Sequence, residues 1–373
     1  LIILKNINYF KIMGLKTGLV GIANSGKTTL FNCLTSSNIE TSAYAFSNTK
    51  SNIGIANVID PRLDEIHKLI PADKKIYATI EIIDIPGLVK GASQGEGIGN
   101  TFLNDIRNMD ALVYVLRCFE DESLSHIEGS IDPVRDKEIL DLELQVKDLE
   151  QVDRKLQKVE KLVKSGDKTA ADALNSLLKF KDALENFVNI RDIELNDIDK
   201  LLIKELAILT AKPVFYVLNV DEKGVNGNKY TENFLKSINE NTLIVAAKIE
   251  EDIMTIDSED ERKEFLAEYG LDEPAINKLS RGIYKLLDLI TFFTIGGKEN
   301  RAWSIKNGAT AVEAAEEIHS DLARGFIKAE VISYEDLINY KSEQACRNAG
   351  KIRLEGKNYI VKDGDILHIR FNV

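Results

Sequence analysis

Residues 21–28 have the types and the spacing that binding a polyphosphate requires. They read Gly-Ile-Ala-Asn-Ser-Gly-Lys-Thr, which fits the pattern G-x-x-x-x-G-K-[ST] at every fixed position. The two glycines permit a backbone that turns amide N–H groups toward phosphate oxygens, and the lysine adds a positive charge. The final hydroxyl is a ligand that Mg²⁺ accepts. The pattern therefore predicts a nucleoside-triphosphate site with these contacts: Asn24, Ser25, Gly26, Lys27, Thr28 and Thr29.

Such a loop works when a strand and a helix hold it from both sides. Leu19 to Ile22 is a short apolar run that predicts a buried strand, and Thr28 to Leu34 predicts the start of a helix. A helix N-terminus provides a favourable electrostatic potential for an anion. Lys27 is then the candidate catalytic cation that contacts the β and γ phosphates.

A second motif, Asp84-Ile85-Pro86-Gly87, ends a predicted strand from Thr79 to Ile85. A carboxylate at that position holds Mg²⁺, usually through a water, so Asp84 and Thr28 are predicted metal ligands. The N–H of Gly87 is placed to sense the γ-phosphate, which makes Gly87 a candidate catalytic group.

Leu88 stands where many GTPases have a glutamine that orients the attacking water. Because leucine forms no side-chain hydrogen bond, another group must position that water. His126, after the predicted strand from Ala111 to Leu116, is a candidate because an imidazole can orient or deprotonate water. A solvated loop histidine is the alternative. The glycine-rich stretch from Gly91 to Gly99 is predicted to be a nucleotide-dependent switch, with a flexible surface loop as the alternative.

A third motif, Asn219-Val220-Asp221-Glu222, ends the apolar run from Pro213 to Val220. GTPases usually have N-K-x-D here, and its Asp accepts two hydrogen bonds from guanine. Glu222 is one methylene longer, and adenine lacks both guanine donors, so the penalty against adenine is removed. The motif predicts that ATP binds at least as well as GTP, with contacts from Asn219, Val220, Glu222 and the backbone of Ala247.

Composition excludes several classes of protein. The chain has 373 residues, room for two or three domains, with a net charge of −12 and a pI near 5.1, which argues against general coating of nucleic acid. No run of 18 apolar residues occurs, so no membrane span is expected. No specific DNA partner is expected either. Three scattered cysteines predict reduced thiols in a cytoplasmic protein.

Short apolar strands that alternate with helices predict an α/β fold with a parallel, doubly wound sheet. Residues 137–206 interrupt this alternation. They contain no proline and only one glycine, Gly166, which favours long helices. Two apolar stripes there predict an antiparallel coiled-coil hairpin that could serve as a partner-binding arm. The first stripe comprises Leu142, Leu149, Leu156 and Val163, and the second comprises Ala171, Leu174, Leu178 and Phe187.

The predicted organisation is an N-terminal extension (1–12), a nucleotide-binding domain (13–137 and 207–287), a coiled-coil insertion (138–206) and a small α+β domain (288–373). Five strands are predicted in the last of these: 291–295, 326–331, 352–354, 359–361 and 366–371. Its basic residues indicate either contact with RNA or scattered surface charge. They are Arg301, Lys328, Arg347, Lys351, Arg353 and Lys357.

Together these features resemble the Obg-like ATPase (YchF) family, from Met13 to the C-terminus. Stretches that carry the likeness include Gly87 to Ser93, Arg117 to Glu120, Arg301 to Trp303 and Arg353 to Gly356. The resemblance implies a translation-factor-type P-loop GTPase fold and an ATPase that also accepts GTP. It also implies a C-terminal TGS domain with a ubiquitin-like β-grasp, association with the ribosome or ribosomal RNA, and a role in translation or stress regulation.

The resemblance also implies a metal ligand in the first switch. Counting from Phe46 and Asn52 places Asn48 at the position where the family has a Mg²⁺-binding threonine, with Thr49 beside it. Either side chain offers an oxygen, so the ligand stays open between the two. The family's phosphate loop usually has proline where this chain has Ala23.

Two other functions remain as alternatives. A strict GTPase would tolerate Glu222, and a P-loop phosphotransferase would need a lid with several arginines, of which only Arg107 and Arg117 lie near. Because the glutamine is missing and Asn24 could bind a cation, assistance by K⁺ is a further open point.

Overall fold

The structure, a computed structural model, describes residues 15–35, 52–86, 98–126, 128–165, 167, 170–238 and 240–372, with the backbone alone for 98–101. The described residues fall into two units with dense internal contacts. One unit is drawn from 16–54 and 82–279, and the other from 55–81 and 280–372.

The strands of both units are numbered along the chain. They are β1 (Lys16–Val20), β2 (Asn52–Val58), β3 (Lys74–Ile76), β4 (Ala78–Asp84), β5 (Ala111–Arg117), β6 (Val214–Asn219), β7 (Thr242–Val245), β8 (Leu289–Thr294), β9 (Glu299–Lys306), β10 (Phe326–Ser333), β11 (Arg353–Glu355) and β12 (Asp365–Phe371).

The α-helices are numbered in the same way. They are α1 (Lys27–Thr35), α2 (Pro61–Leu69), α3 (Ile98–Arg107), α4 (Pro133–Lys164), α5 (Ala170–Glu185), α6 (Asp197–Leu206), α7 (Lys229–Leu235), α8 (Ala247–Met254), α9 (Glu259–Glu268), α10 (Ala275–Leu286), α11 (Ala311–Ile318), α12 (Ser320–Arg324), α13 (Tyr334–Tyr340) and α14 (Glu343–Asn348).

The first sheet has the order β2-β4-β1-β5-β6-β7. Strands β1, β5, β6 and β7 pair in parallel, with Leu19 opposite Val113 and Leu116 opposite Leu218. Every residue of β5 and β6 is buried, as expected for parallel strands that are covered on both faces. Four of its six strands are thus parallel, as the sequence predicted, and these four end at the same edge of the sheet.

One apolar cluster lies against this sheet. Tyr114 and Tyr216 meet edge to face at 5.8 Å between ring centroids, and Phe234 packs on Tyr216 at 5.5 Å. Leu140 and Leu144 of α4 belong to the same cluster. Each such side chain contributes about 1.5–3 kcal/mol when it is fully buried.

Helix α4 begins at Pro133, where the side chain of Asp132 accepts hydrogen bonds from the N–H groups of Val134 and Arg135, both at 3.1 Å. Its second half packs against α5 in a separate apolar cluster. Val152, Leu156 and Val159 come from α4, and Leu177 and Phe180 come from α5.

The two predicted stripes are only partly right. Leu156 is buried, but Leu142 is 43% exposed. In this part of α4 the side chains that pack against the sheet are those of Leu140 and Leu144 instead. In α5 the buried face is displaced by one residue, and Leu178 is 46% exposed. Ala171 is exposed as well. Phe187 follows the end of α5 with φ of +60° and is 71% exposed.

The second sheet has the order β11-β10-β12-β8-β9-β3. Strand β10 pairs antiparallel with β11 and β12, whereas β12 and β8 are parallel. Helix α11 covers an apolar cluster that includes Phe292, Ala315, Ala329 and Val331. The predicted domain 288–373 stays a prediction, since this unit also takes in residues 55–81 through β3, which pairs with β9.

Strands β8, β10, β11 and β12 agree with the predicted ones within three residues at each end. Strand β9 was not predicted, and 359–361 does not form a strand, because Ile360 makes only an isolated bridge to Thr310. No helix within the described ranges has both the length and the apolar composition needed to span a bilayer.

Candidate functional site

The phosphate-binding loop connects the end of β1 to the start of α1. Asn24 has φ of +64° and Gly26 has φ of +88°, so the chain turns through the left-handed region twice before Lys27 begins the helix. At Gly21 a Cβ atom would stand 2.7 Å from the carbonyl oxygen of Val115, a distance no side chain tolerates. The predicted strand, loop and helix are therefore present, with glycine where the geometry demands it.

Lys27, Thr28 and Asp84 meet beside this loop. Lys27 Nζ donates to Asp84 Oδ1, and both residues are buried, at 8% and 7% exposure. Thr28 Oγ1 donates to Asp84 Oδ2 over 3.1 Å. A hydroxyl and a carboxylate that converge in this way are the oxygen donors that Mg²⁺ takes, with phosphate oxygens and waters as its other ligands.

The described residues contain no group of three or more His, Cys, Asp or Glu side chains that could hold a metal by themselves. The predicted ligands Thr28 and Asp84 thus fit Mg²⁺ only together with a bound polyphosphate. Gly87, Asn48 and Thr49 lie outside the described residues, as does most of the glycine-rich stretch.

Asn219 ties three segments of the site together. Its Nδ2 donates to the Ser25 carbonyl at 2.9 Å, and its Oδ1 accepts from the N–H of Ala247 at 3.1 Å. It is 4% exposed at the end of β6. Although Asn219 lines the cavity, both atoms of its amide are engaged within the protein, so its evident role is to hold the phosphate loop and the start of α8 in register.

The other residues of the base motif, which is the third motif Asn219-Val220-Asp221-Glu222, differ in exposure. Val220 is 2% exposed and its N–H pairs with Val245, so it forms the floor of the site. Asp221 caps the 3-10 turn Glu222–Gly224 by accepting from the Gly224 N–H at 2.9 Å. Glu222 itself is exposed at the rim.

A cavity of about 800 Å³ joins these parts, a volume in the range of small-molecule sites. Every predicted nucleotide contact lines it: Asn24, Ser25, Gly26, Lys27, Thr28, Thr29, Asn219, Val220, Glu222 and Ala247. Its wall also contains Phe119, Glu120, Asp121 and Leu124, to which the sequence assigned no role. Their position after the carboxyl end of β5 was the available signal.

His126 does not line the cavity. Its side chain is 5% exposed, with Nε2 3.0 Å from Asp136 Oδ2 on α4 and Nδ1 accepting from the N–H of Glu128 at 3.2 Å. Burial raises the pKa of Asp136, and the adjacent His126 and Arg135 oppose that rise. The ring is buried and anchors the loop to α4, so His126 is not a solvated loop histidine, and its role in positioning the water stays a prediction.

The three cysteines are unpaired and buried. Burial, aided by the nearby carboxylates of Glu250 and Glu251, raises the pKa of Cys33 to about 12, and burial also raises the pKa of Cys118. Thiols in such surroundings stay protonated and unreactive.

Comparisons with known proteins agree with this geometry. Residues 16–162 match the family described as 50S ribosome-binding GTPase, and residues 289–372 match YchF-GTPase_C, described as a protein of unknown function (DUF933). The ribosome-binding ATPase YchF of Escherichia coli O157:H7 is 45% identical over 97% of this chain and 100% of its own length. That of Bacillus subtilis (strain 168) is 42% identical with the same coverage.

A solved structure has the same fold. The YchF GTPase of Schizosaccharomyces pombe superposes with a TM-score of 0.86 at 33% identity, covering 96% of this chain and 98% of that one. The likeness extends over both units and includes the P-loop GTPase fold of the first. The chain therefore belongs to the YchF family.

Proposed function

We propose that this chain binds and hydrolyses ATP, and also GTP, with Mg²⁺, and that it acts as a nucleotide-dependent switch on the ribosome in translation or stress regulation. The observation that carries the proposal is the meeting of Lys27, Thr28 and Asp84 beside a cavity of about 800 Å³. Relatives that match along their whole length are named ribosome-binding ATPases, which supports the ribosomal part.

In this mechanism the residues around the phosphate loop exchange partners when nucleotide binds. Lys27 would leave Asp84 for the β and γ phosphates, and the Thr28 hydroxyl and Asp84 would then be the protein groups that hold Mg²⁺. When bound there, the ion would supply positive charge that offsets the charge of the phosphate oxygens. The contributions of Gly87 and of Asn48 or Thr49 to closure over the γ-phosphate remain predictions.

Selection between adenine and guanine falls to the rim of the cavity. Because Asn219 is engaged by Ser25 and Ala247, the exposed Glu222 and nearby backbone groups are left to read the base. No fixed aspartate fork favours guanine, so ATP should bind at least as well as GTP. A strict GTPase is the alternative, with Glu222 recruited in place of the aspartate.

His126 is the candidate that positions the water only if its ring leaves Asp136 during the reaction. We expect that His126→Ala lowers turnover while the Kd for ATP changes little, measured by steady-state hydrolysis and by calorimetry. His319→Ala, at a side chain that is 63% exposed in the other unit, is the control. Full turnover in His126→Ala would restrict the residue to its structural contact with α4.

We also propose that α4 and α5 form the coiled-coil arm and that 288–373 is a TGS domain. The basic residues of that region give little support to RNA contact, since most have partners. Arg347 pairs with Glu330 at 3.1 Å, Lys351 with Asp336 at 3.1 Å, and Arg353 with Asp365 at 3.3 Å. Arg301 lies over the Trp303 ring, 4.0 Å from its centroid.

The test is hydrolysis of ATP and GTP side by side, with and without ribosomes, for the wild-type chain and Lys27→Met. We expect Mg²⁺-dependent turnover of both nucleotides, stimulation by ribosomes, and a loss of affinity of at least about a hundredfold in Lys27→Met, which removes the buried cation. Thermal unfolding of the variant checks that Asp84, now without its lysine, has not unfolded the site. If the folded wild-type chain bound no purine triphosphate, the proposal would be wrong.

A further inference from the structure

Arg117, the last residue of β5, is a buried arginine with an unusual set of partners. It is 2% exposed and is the largest of the fully buried side chains within the described residues. Nε donates to the Phe119 carbonyl at 3.1 Å, Nη1 to the Leu124 carbonyl at 3.1 Å and Nη2 to the Asp121 carbonyl at 3.3 Å. One guanidinium thus holds three backbone positions of one loop, and its planar fork of donors makes this possible.

These three positions belong to the wall of the nucleotide cavity. Phe119, Asp121 and Leu124, with Glu120, are the residues of this loop that line it. Arg117 also lies over the Phe119 ring, 4.8 Å from its centroid. The carboxylate of Asp121 turns instead to Ser123, accepting from its N–H at 2.8 Å and its hydroxyl at 2.6 Å. The arginine therefore acts on the shape of the wall.

Both ends of the loop are fastened as well. Cys118 donates its N–H to the Asn219 carbonyl at 2.7 Å and accepts from Asn228 Nδ2 at 2.7 Å. At the other end the Ser125 carbonyl accepts from Asn24 Nδ2 at 3.1 Å. With its ends held by the base motif and the phosphate loop, the segment between them is shaped by Arg117.

The chemistry of the wall indicates which part of a nucleotide it faces. Glu120 accepts from Lys229 Nζ at 2.9 Å and from the Tyr230 hydroxyl, and Asp121 accepts from Ser123. These two carboxylates offer a triphosphate no positive charge, and Phe119 and Leu124 are apolar. The amides and the lysine of the phosphate loop already supply what phosphates require. An apolar ring beside hydrogen-bond acceptors suits a sugar and a base instead.

We propose that Arg117 is a positioning residue for the nucleoside part of the ligand: it holds the loop 118–125 so that its side chains form the wall against the sugar and base, while the phosphate loop binds the triphosphate independently. This rests on the proposed nucleotide function. It adds that nucleoside affinity and triphosphate affinity can be separated by one side chain.

The test compares ATP with inorganic tripolyphosphate, which needs only the phosphate loop. Arg117→Lys keeps the charge, but one ammonium cannot reach three carbonyls. We expect its Kd for Mg²⁺-ATP to rise about tenfold, as loss of one or two hydrogen bonds from a charged donor would give. The Kd for Mg²⁺-tripolyphosphate should stay within about twofold of wild type, a selectivity that general destabilisation would not produce.

Arg191→Lys is the matched control. Arg191 is also a largely buried arginine, but it pairs with Asp141 at 2.6 Å, away from the cavity wall. It should lose stability without a change in the ratio of the two Kd values. Equal weakening of both ligands in Arg117→Lys, or no change in either, would overturn the assignment of Arg117. Absence of binding in the wild-type chain would instead refute the proposed function.

If Arg117→Lys does not fold, Asn228→Asp tests the same wall through Cys118, the first residue of the loop. Aspartate still accepts from the N–H groups of Tyr230 and Thr231 at the start of α7 but cannot donate to Cys118. The same selective loss of ATP affinity is expected. Unchanged ATP affinity in this variant would count against a wall whose shape controls nucleoside binding.

Discussion

Gly26 combines a left-handed φ of +88° with a close approach to Asn219. A Cβ atom there would overlap Nδ2 of Asn219, the atom that donates to the Ser25 carbonyl. We predict that Gly26→Ala lowers the free energy of unfolding by more than the roughly 1–2 kcal/mol of backbone strain and weakens ATP binding at least tenfold. Chemical denaturation and calorimetry measure the two effects.

Gly270→Ala separates strain from overlap. Gly270 has φ of +70° and nothing within 4 Å of the added atom, so this variant should show the strain alone with unchanged ATP affinity. Equal losses of stability in the two variants would mean that the Asn219 side chain moves away from the added Cβ atom without an energetic cost. The overlap would then be unimportant.

Single residues of the site were predictable to different degrees. Lys27, Thr28 and Asp84 follow from two short motifs at strand ends, because the carboxyl ends of parallel strands share one edge. Asn219 is hydrogen-bonded to Ala247, and His126 is buried against Asp136. Both contacts join segments that are separate in the sequence. No local spacing encodes such contacts, so the sequence predicted the types of groups present and missed how some are used.

Helix α8 lines the cavity with Ala247 and carries a buried acid on its other side. Glu250 is 1% exposed, and its Oε1 accepts from the N–H of Ala275 at 2.7 Å where α10 begins. Burial raises the pKa of Glu250 to about 7, against the opposing effects of the Ala275 and Ile276 amides and of Lys278. The contact between the two helices therefore titrates near neutral pH.

Because the pKa of Glu250 is raised in the folded state, the protein loses stability as the pH rises. Below the unfolded pKa of 4.5 Glu250 is protonated in both states, so its stability contribution is fully present there. Between 4.5 and about 7 the unfolded state releases the proton while the folded state keeps it, so stability falls, and the loss is complete above about 7. Glu250→Gln cannot ionise. We compare the free energy of unfolding of Glu250→Gln with that of the wild-type chain. We predict that, between pH 4.5 and 8, the variant becomes more stable relative to the wild type by roughly 3 kcal/mol at most, at about 1.4 kcal/mol per pKa unit.

Urea denaturation of both proteins across that range measures the shift, because other titrating groups cancel in the difference. Asp148→Asn is an informative contrast. Burial raises the pKa of Asp148 to about 6, yet its two oxygens accept three hydrogen bonds from Leu209 and Thr210. An asparagine amide cannot accept all three, so that variant should be destabilised. A flat difference for Glu250→Gln would contradict the raised pKa.

Helices and strands were predictable where their burial pattern is simple. The buried strands β5 and β6 appear in the sequence as continuous apolar runs. The stripe on α4 was misjudged because its first half packs on the sheet and its second half on α5, so one helix has two buried faces. A single periodicity cannot describe both. Strand β9 was missed because its buried and exposed residues alternate irregularly.

At the scale of the whole chain, the unit drawn from 16–54 and 82–279 contains two apolar clusters that share no residue. One lies against the parallel sheet and the other joins α4, α5 and the segment near Leu206. The sequence indicated an inserted helical segment but could not show this separation, since it depends on which side chains of α4 face each neighbour. Two cores within one unit imply two regions that can open separately.

Phe180 and Phe234 test this separation, since each is fully buried in one of the two clusters. Replacing either phenylalanine by alanine costs about 3–5 kcal/mol. We predict that Phe180→Ala increases hydrogen exchange in α4 beyond Leu149, in α5 and in α6, while β5 and β6 stay protected and the Kd for ATP stays within about twofold of wild type. Phe234→Ala should instead expose β5 and β6 and weaken ATP binding, because the loop wall and Asn219 depend on those strands. If either variant raised hydrogen exchange equally in the α4–α6 segment and in β5 and β6, the two clusters would unfold as one. The helical segment could then not open without disturbing the nucleotide site.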